Sequence, residues 1–157
     1  MDAGRMTKGR GWLIVLLLLA ACAPAPSPSW SAPAARFFGR INDVTGGSVT
    51  LAAASFLTGQ AAEDAARQDG REAPGGFYIR DLHRVEVLAV TGPVDITVLG
   101  YDAAGNPSPM PFDITRLGAA IDAWNAGAAL PDLYWTNYWW FSVVDGTVVK
   151  IEAQYLP

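Results

Sequence analysis

The chain has 157 residues, of which 51% are hydrophobic and 11% aromatic, and its 11 basic and 15 acidic residues give a net charge of −4. This length is enough for a domain that buries a core of its own. The acidic balance argues against nucleic acid as a partner, because it offers no basic surface for phosphate groups.

The N-terminal segment has the pattern of a secretory signal. Arg5, Lys8 and Arg10 precede an apolar run over residues 12–19, and small residues follow up to Cys22. The run is short, since a helix that spans a bilayer needs about 20 apolar residues. Prolines just beyond Cys22 prevent its continuation as a helix. The pattern therefore predicts a cleaved signal rather than a membrane span.

The segment Leu19-Ala20-Ala21-Cys22 resembles the lipobox of bacterial lipoproteins, in which the cysteine is acylated and the peptide is cut just before it. Cys22 is the only cysteine, so it has no disulfide partner within the chain. The resemblance implies lipidation of Cys22 and a lipoprotein anchored to a membrane of the cell envelope, outside the cytoplasm. A plain secreted protein and a retained N-terminal anchor are the alternatives.

Three regions follow from this interpretation. Residues 1–21 are a signal peptide, residues 22–35 are the acylated cysteine with a Pro/Ala/Ser tether, and residues 36–157 are a single globular domain. From Cys22 onward, eight basic residues stand against fourteen acidic ones. The lipid therefore has to provide the membrane attachment, because anionic lipid would not attract this domain.

The first half of the domain predicts strands around one short helix. Strands are predicted over 37–44 and 49–57, joined by a turn at 45–48. A helix is predicted over 60–68, with Thr58 as its cap and Gly70 just past its end. Its apolar face consists of alanines, which predicts a peripheral helix. Strands over 77–80, 83–90 and 94–101 follow, since apolar residues alternate there.

The second half predicts a loop, a helix and a hairpin. Residues 102–111 contain one glycine and three prolines, which favours a loop. A helix is predicted from the N-cap Asp113 to the stop at Gly127. Strands over 138–144 and 147–155 flank Asp145-Gly146, the pair that a type I′ turn favours.

That turn predicts a register for the final hairpin. Trp140 is expected opposite Ile151, and Ser142 opposite Val149, on the face toward the core. Phe141 then lies opposite Lys150 on the other face, together with Trp139. A shift by one residue would exchange the two faces.

Short strands with two inserted helices, without a βαβ rhythm, predict an α+β fold. The expected architecture is a small, mainly antiparallel curled sheet or a partly open β-barrel of about six strands.

Short landmarks along the domain resemble a group of small exported bacterial proteins of uncharacterised function. They are Phe56-Leu57-Thr58-Gly59, Ala65-Ala66, Asp69-Gly70, Phe77-Tyr78-Ile79-Arg80 and, at the C-terminus, Asp145-Gly146 with Val148, Ile151, Gln154, Tyr155 and Pro157. The resemblance implies one compact envelope domain. It brings no activity and no catalytic residue.

The residue pattern favours a non-enzymatic protein. His83 is the only histidine and is expected to be a surface imidazole beside Asp81. A hydrolase that uses His83, or the carboxylates of Glu86 and Glu152, is the alternative. We predict no cofactor and no metal, because zinc ligands are not clustered and the oxygens around Asp102 are better explained by turn chemistry than by calcium.

Binding has a stronger candidate in residues 134–141, where six of eight positions are aromatic. Such a run cannot lie wholly on one face of a strand, so some rings must point away from the core. We predict a binding surface at Trp135, Tyr138, Trp139 and Phe141, for an envelope protein, a glycan or an apolar ligand. The alternative is a purely structural or assembly lipoprotein whose aromatic residues are all internal.

Overall fold

The structure, a computed structural model, describes residues 34–156. The predicted signal peptide, Cys22 and nearly all of the tether lie outside the described residues. Among residues 34–156, no helix has both the length and the apolar character needed to cross a bilayer.

The described chain forms seven strands and two helices. In order they are β1 (Ala35–Thr45), β2 (Ser48–Thr58), α1 (Gly59–Gln68), β3 (Phe77–Ala89), β4 (Asp95–Tyr101), β5 (Pro107–Phe112), α2 (Ile114–Asn125), β6 (Trp139–Val144) and β7 (Thr147–Ala153). A single 3₁₀ turn at Pro74–Gly76 precedes β3.

The strands form one mixed sheet in the order β3-β2-β1-β6-β7-β4-β5. β6 returns after a long connection to pair with β1, which gives the spatial order 4-1-2-3 of a Greek key. β3 also pairs in parallel with β7 at Ala89 and Thr147, so β1, β2, β3, β7 and β6 form a closed ring. β4 and β5 extend the sheet outward from β7.

The architecture agrees with the predicted class at a coarse level. It is mostly β with two helices, which is roughly α+β, and most strand pairs are antiparallel. The strand number is seven rather than about six.

The additional strand is β5, which covers part of the predicted loop. Its prolines stand at positions 107, 109 and 111 of an edge strand. The alternation leaves the N–H groups of residues 108, 110 and 112 for the ladder with β4, so the prolines cost no hydrogen bond. Proline therefore did not exclude a strand here.

β1 passes from one ladder to another at Gly39. Residues 35–39 pair with β6, and residues 39–45 pair with β2. A β-carbon at Gly39 would collide with the carbonyl of Ala52 and with the side chain of Leu51. Glycine is therefore needed at the point where β1 serves both neighbours.

The core lies inside the ring and under α2. Its fully buried large side chains are Val49, Leu51, Ile96, Leu117, Ile121, Trp139, Phe141, Val148 and Ile151. α2 begins where the Asp113 carboxylate accepts the N–H of Arg116 at 2.8 Å, as predicted, and it packs against β1. α1 buries only alanines against Tyr78 in a separate small cluster, which confirms its peripheral position.

The register predicted for the final hairpin is wrong beyond its second pair. Val144 faces Thr147 and Val143 faces Val148, but a bulge at Val149 then shifts the ladder by one residue. Phe141 therefore faces Ile151 inside the core, and Trp140 faces Glu152 on the outer side. The two faces of β6 are exchanged relative to the prediction.

Candidate functional site

The aromatic segment predicted as a binding surface is divided among three environments. Trp139 and Phe141 are 2% and 0% exposed, so they belong to the core and cannot form a surface. Tyr138 joins an aromatic cluster on the outer side of the sheet. Trp135 is half-buried and lines a cleft beside α2. Of the four predicted residues, the assignment of Trp139 and Phe141 to an exposed face was wrong.

The cleft beside α2, called the tryptophan cleft below, is about 360 Å³ in volume and lies between β1, the end of α2 and residues 135–139. Trp124, 42% exposed, stacks on Trp135 with ring centroids 5.6 Å apart. Trp135 in turn meets the buried Trp139 edge to face at 5.7 Å. Three indoles therefore lead from the core to solvent, and the outermost has exposed surface.

Polar side chains surround these indoles. Four exposed ones share the cleft: Arg40 and Asn42 from β1, Asn125 from the end of α2, and Asn137 from the approach to β6. Amides offer both donors and acceptors, and a guanidinium offers donors only. The cleft therefore combines a flat apolar platform with hydrogen-bonding groups.

The loop between α2 and β6 holds Trp135 in place. Gly127, in the left-handed region two residues after α2, turns the chain, which then returns along β4, where the Tyr134 N–H donates to the carbonyl of Leu99 at 2.8 Å. Thr136 is buried, and its hydroxyl accepts the N–H of Tyr138 at 3.2 Å. Trp135 is thus fixed between two anchored residues, which favours a preformed site.

A second aromatic group lies on the outer side of the sheet. This outer aromatic cluster consists of Phe38, Phe56, Phe77, Tyr138 and Trp140, with neighbouring ring centroids 4.7 to 6.1 Å apart. The indole N–H of Trp140 donates to Gln154 at 2.7 Å, and the guanidinium of Arg36 lies 4.4 Å from its ring centroid. The indole N–H and the ring of Trp140 therefore already have partners within the chain. We interpret the outer aromatic cluster as internal packing rather than as a surface for a ligand.

His83 stands on an exposed bulge of β3. Its side chain is 89% exposed, and its Nδ1 lies 3.8 Å from the carboxylate of Asp81. Its backbone has φ +53°, and its N–H donates to the same carboxylate at 2.7 Å. The predicted strands 77–80 and 83–90 are one strand, and this bulge is the interruption between them.

The two glutamates considered for hydrolysis are held in separate ion pairs. Glu86 lies 2.8 Å from Arg84 on β3. Glu152 lies on β7, 2.9 Å from Lys150, and its hydrogen bond raises the pKa of that ammonium. Each carboxylate is thus oriented by a cation of its own strand.

A further cleft, about 760 Å³ in volume, lies where α1 meets β3. Arg80 donates two hydrogen bonds of 2.9 Å to Asp69, and the hydroxyl of Tyr78 donates a third at 3.0 Å. These hydrogen bonds hold the pKa of Asp69 below its ordinary value, and the hydrogen bonding of Arg80 has the largest effect. The charged pair therefore ties α1 to β3, which is a structural role.

Residues 34–156 contain no group of three or more His, Cys, Asp or Glu side chains arranged for a metal ion. Asp102 accepts the N–H groups of Ala104 and Asn106 at 2.8 and 2.9 Å. These backbone hydrogen bonds lower the pKa of Asp102, and the one from Asn106 has the largest effect. Its oxygens close a turn, as turn chemistry predicts.

Sequence reasoning missed Trp124 as a site residue. Trp124 lies three residues after the buried Ile121, a spacing that favours a buried ring, yet the apolar stripe of α2 leaves the core one turn before the helix ends, so Trp124 reaches solvent.

Comparisons with protein-family models, curated proteins and solved structures find no match to this chain. The chemistry of the site is therefore inferred from its own side chains.

Proposed function

We propose that this protein is a lipid-anchored domain of the bacterial cell envelope that binds a ligand in the tryptophan cleft and performs no catalysis. The single observation that carries the binding role is the exposed indole of Trp124, stacked on Trp135 among polar side chains. A large aromatic ring left in solvent beside donors and acceptors is typical of a recognition site.

The anchor is proposed from the sequence. Cleavage before Cys22 would leave an acylated cysteine followed by the Pro/Ala/Ser tether, and the resemblance to lipoproteins implies several acyl chains on that residue. More than one chain is needed, because a single chain holds a protein to a membrane only marginally. The tether would then hold the domain at a distance from the membrane surface.

Intact-mass measurement of the protein from cell membranes tests the anchor. We expect a chain that begins at Cys22 and carries acyl groups on it, and we expect the Cys22→Ser variant to keep residues 1–21 or to leave the membrane fraction. A free thiol at Cys22 in the native protein would contradict the proposal.

We also infer that the five-strand ring is a partly open barrel. The Greek-key order of β6-β1-β2-β3 and the parallel contact of β3 with β7 support this inference. A five-stranded, partly open Greek-key barrel is the architecture of OB-folds. A fold of this kind assigns no activity by itself, so the binding role depends on the cleft.

Affinity capture tests the binding role. The full chain, extracted from membranes in mild detergent and immobilised, is offered soluble envelope proteins and envelope saccharides separately. We expect the native chain and Trp140→Ala to retain the same material, and Trp124→Ala to lose it. Trp140 is the matched control, because it is a partly exposed tryptophan outside the cleft. Identical retention by all three chains would contradict the proposal.

A structural or assembly role is the second candidate. The packing of Trp139 and Phe141 in the core and of Trp140 in the outer aromatic cluster favours it, since most rings of the aromatic segment are already in contact with the chain. If the native chain retains nothing in the capture experiment, this second candidate is preferred.

A further inference from the structure

The charges of the residues that line the tryptophan cleft indicate which class of ligand it can bind. Of the described residues that line it, only Arg40 carries a charge. A site for phosphate or for a polyanion needs several cations or a bidentate clamp. The other polar groups are neutral, and three of them are asparagine amides. A ligand without a formal charge fits this lining best.

The flat face formed by the stacked indoles favours one class of uncharged ligand. The Trp124 and Trp135 rings are inclined by only 29°, and Trp135 is braced edge to face by the buried Trp139. A pyranose ring has a flat face of C–H groups that matches an indole, and hydroxyls around its rim that both donate and accept. A lipid tail would instead require an enclosed apolar wall, whereas Arg40, Asn42, Asn125 and Asn137 form an open polar rim here.

The polar side chains of the cleft lie beside the stacked indoles, where the hydroxyl groups at the edge of a sugar ring would need partners. Asn125 follows Trp124 directly at the end of α2, and Asn137 follows Trp135 by two residues. Asn42 lies at a register shift of β1, between Ile41 and Asp43. A bulge redirects a side chain from the strand's regular alternation, and such bulges are frequent beside binding sites. Amides from three separate elements therefore line one stacked platform.

We infer that the tryptophan cleft binds an uncharged oligosaccharide. One sugar ring stacks on the exposed indole of Trp124, and its hydroxyl or N-acetyl groups exchange hydrogen bonds with Asn42, Asn125 and Asn137. The inference rests on the proposed binding function and names the chemical class of its ligand. The residues from Cys22 onward, eight basic against fourteen acidic, agree with it at long range, because the net negative charge of the whole domain repels anionic sugars.

Titration calorimetry on the full chain in mild detergent tests the inference. The probes are the N-acetylglucosamine tetramer, cellotetraose and, as an anionic comparison, tetragalacturonic acid. We expect binding of at least one neutral tetramer and none of the acid. We expect Trp124→Ala to weaken the affinity at least tenfold, Trp124→Phe to weaken it less, and Trp140→Ala to leave it unchanged.

Two exposed variants guard against a misfolded Trp124→Ala. Asn42→Ala and Asn125→Ala replace exposed side chains, and each is expected to weaken the neutral tetramer about threefold to tenfold. Absence of binding by both neutral tetramers, or an affinity that none of these variants changes, overturns the inference. If the sugars fail while envelope capture still depends on Trp124, the oligosaccharide class is wrong and the binding function stands.

Discussion

Phe141 stands directly opposite Ile151 across the β6–β7 ladder, although the Asp145-Gly146 turn alone would place it opposite Lys150. The difference is the single extra residue Val149, which is 40% exposed and lacks a partner in the ladder. This bulge brings Val148 and Ile151 to the same face although they are three positions apart. It therefore decides which rings of the aromatic segment are internal.

The register predicts a large difference between two alanine variants. Phe141→Ala should lower the free energy of unfolding by about 3–5 kcal/mol, because it leaves a cavity in the core. Val149→Ala should change it by less than about 0.5 kcal/mol, because Val149 is a bulged surface residue. Denaturant unfolding of both variants measures this. A large loss for Val149→Ala with a small one for Phe141→Ala would restore the register set by the turn alone.

Periodicity and caps were enough to predict most of the elements. Both helices lie within one or two residues of their predicted starts, and Gly70 and Gly127 follow their ends. Asp113 caps α2 with its carboxylate, whereas Thr58 stands at the N-cap position of α1 but makes no side-chain hydrogen bond there. The hairpin turns at residues 46–47 and 145–146 are also as predicted. These features depend on local interactions, which a single sequence displays.

The site could not be predicted in the same way, because it depends on interactions between distant parts of the chain. The bulge at Val149 is one residue without a local signal, yet it exchanges the environments of Trp140 and Phe141. Whether Trp124 is covered depends on where the core ends under α2, a helix that packs against the distant strand β1. Arg40 and Asn42 also line the cleft, although both precede Trp124 by more than eighty residues in the sequence.

Gly39 should tolerate no side chain. In Gly39→Ala the new β-carbon would meet the backbone carbonyl of Ala52, which cannot move without breaking the ladder between β1 and β2. We expect a loss of about 1–3 kcal/mol or more, measured by thermal or denaturant unfolding. Gly46→Ala is the matched control, because no atom lies within 4 Å of its added β-carbon. Equal stability of the two variants would contradict the close approach at Gly39.

His83 should be replaceable without loss of the fold. Its φ of +53° lies in the left-handed region, where an L-residue is strained by about 1–2 kcal/mol and glycine is not. His83→Gly should therefore keep or raise the unfolding free energy, by up to about 1 kcal/mol, and His83→Val should lower it by about 1–2 kcal/mol. Leu82→Val, on the same bulge, is the control and should stay within about 0.5 kcal/mol. A loss in His83→Gly as large as that in His83→Val would refute strain at this position.

The Asp69 carboxylate should make the docking of α1 on β3 sensitive to acid. Hydrogen bonds from Arg80 and Tyr78 hold the pKa of Asp69 below its ordinary value of 3.8. The folded state therefore binds this proton less readily than the unfolded chain does. Its contribution to stability is complete above the unfolded pKa and is lost as the pH falls through the lower folded pKa. Compared with Asp69→Asn, the native chain should be more stable at pH 6, and the difference should shrink below about pH 4.

At alkaline pH the Tyr78–Asp69 contact should make the free energy of unfolding fall as the pH rises, opposite to the acid limb. This provides an independent check on the same contact. Burial and then the hydrogen bond to Asp69 raise the pKa of Tyr78 above its ordinary value of 10.0. The hydroxyl thus stabilises the fold below the unfolded pKa, and the contribution is lost as the pH rises through the higher folded pKa. Tyr78→Phe should remove the alkaline loss and leave the acid loss smaller but present, because Arg80 still binds Asp69. Unfolding curves from pH 2 to pH 11 measure both limbs, and an alkaline limb unchanged in Tyr78→Phe would assign it to another group.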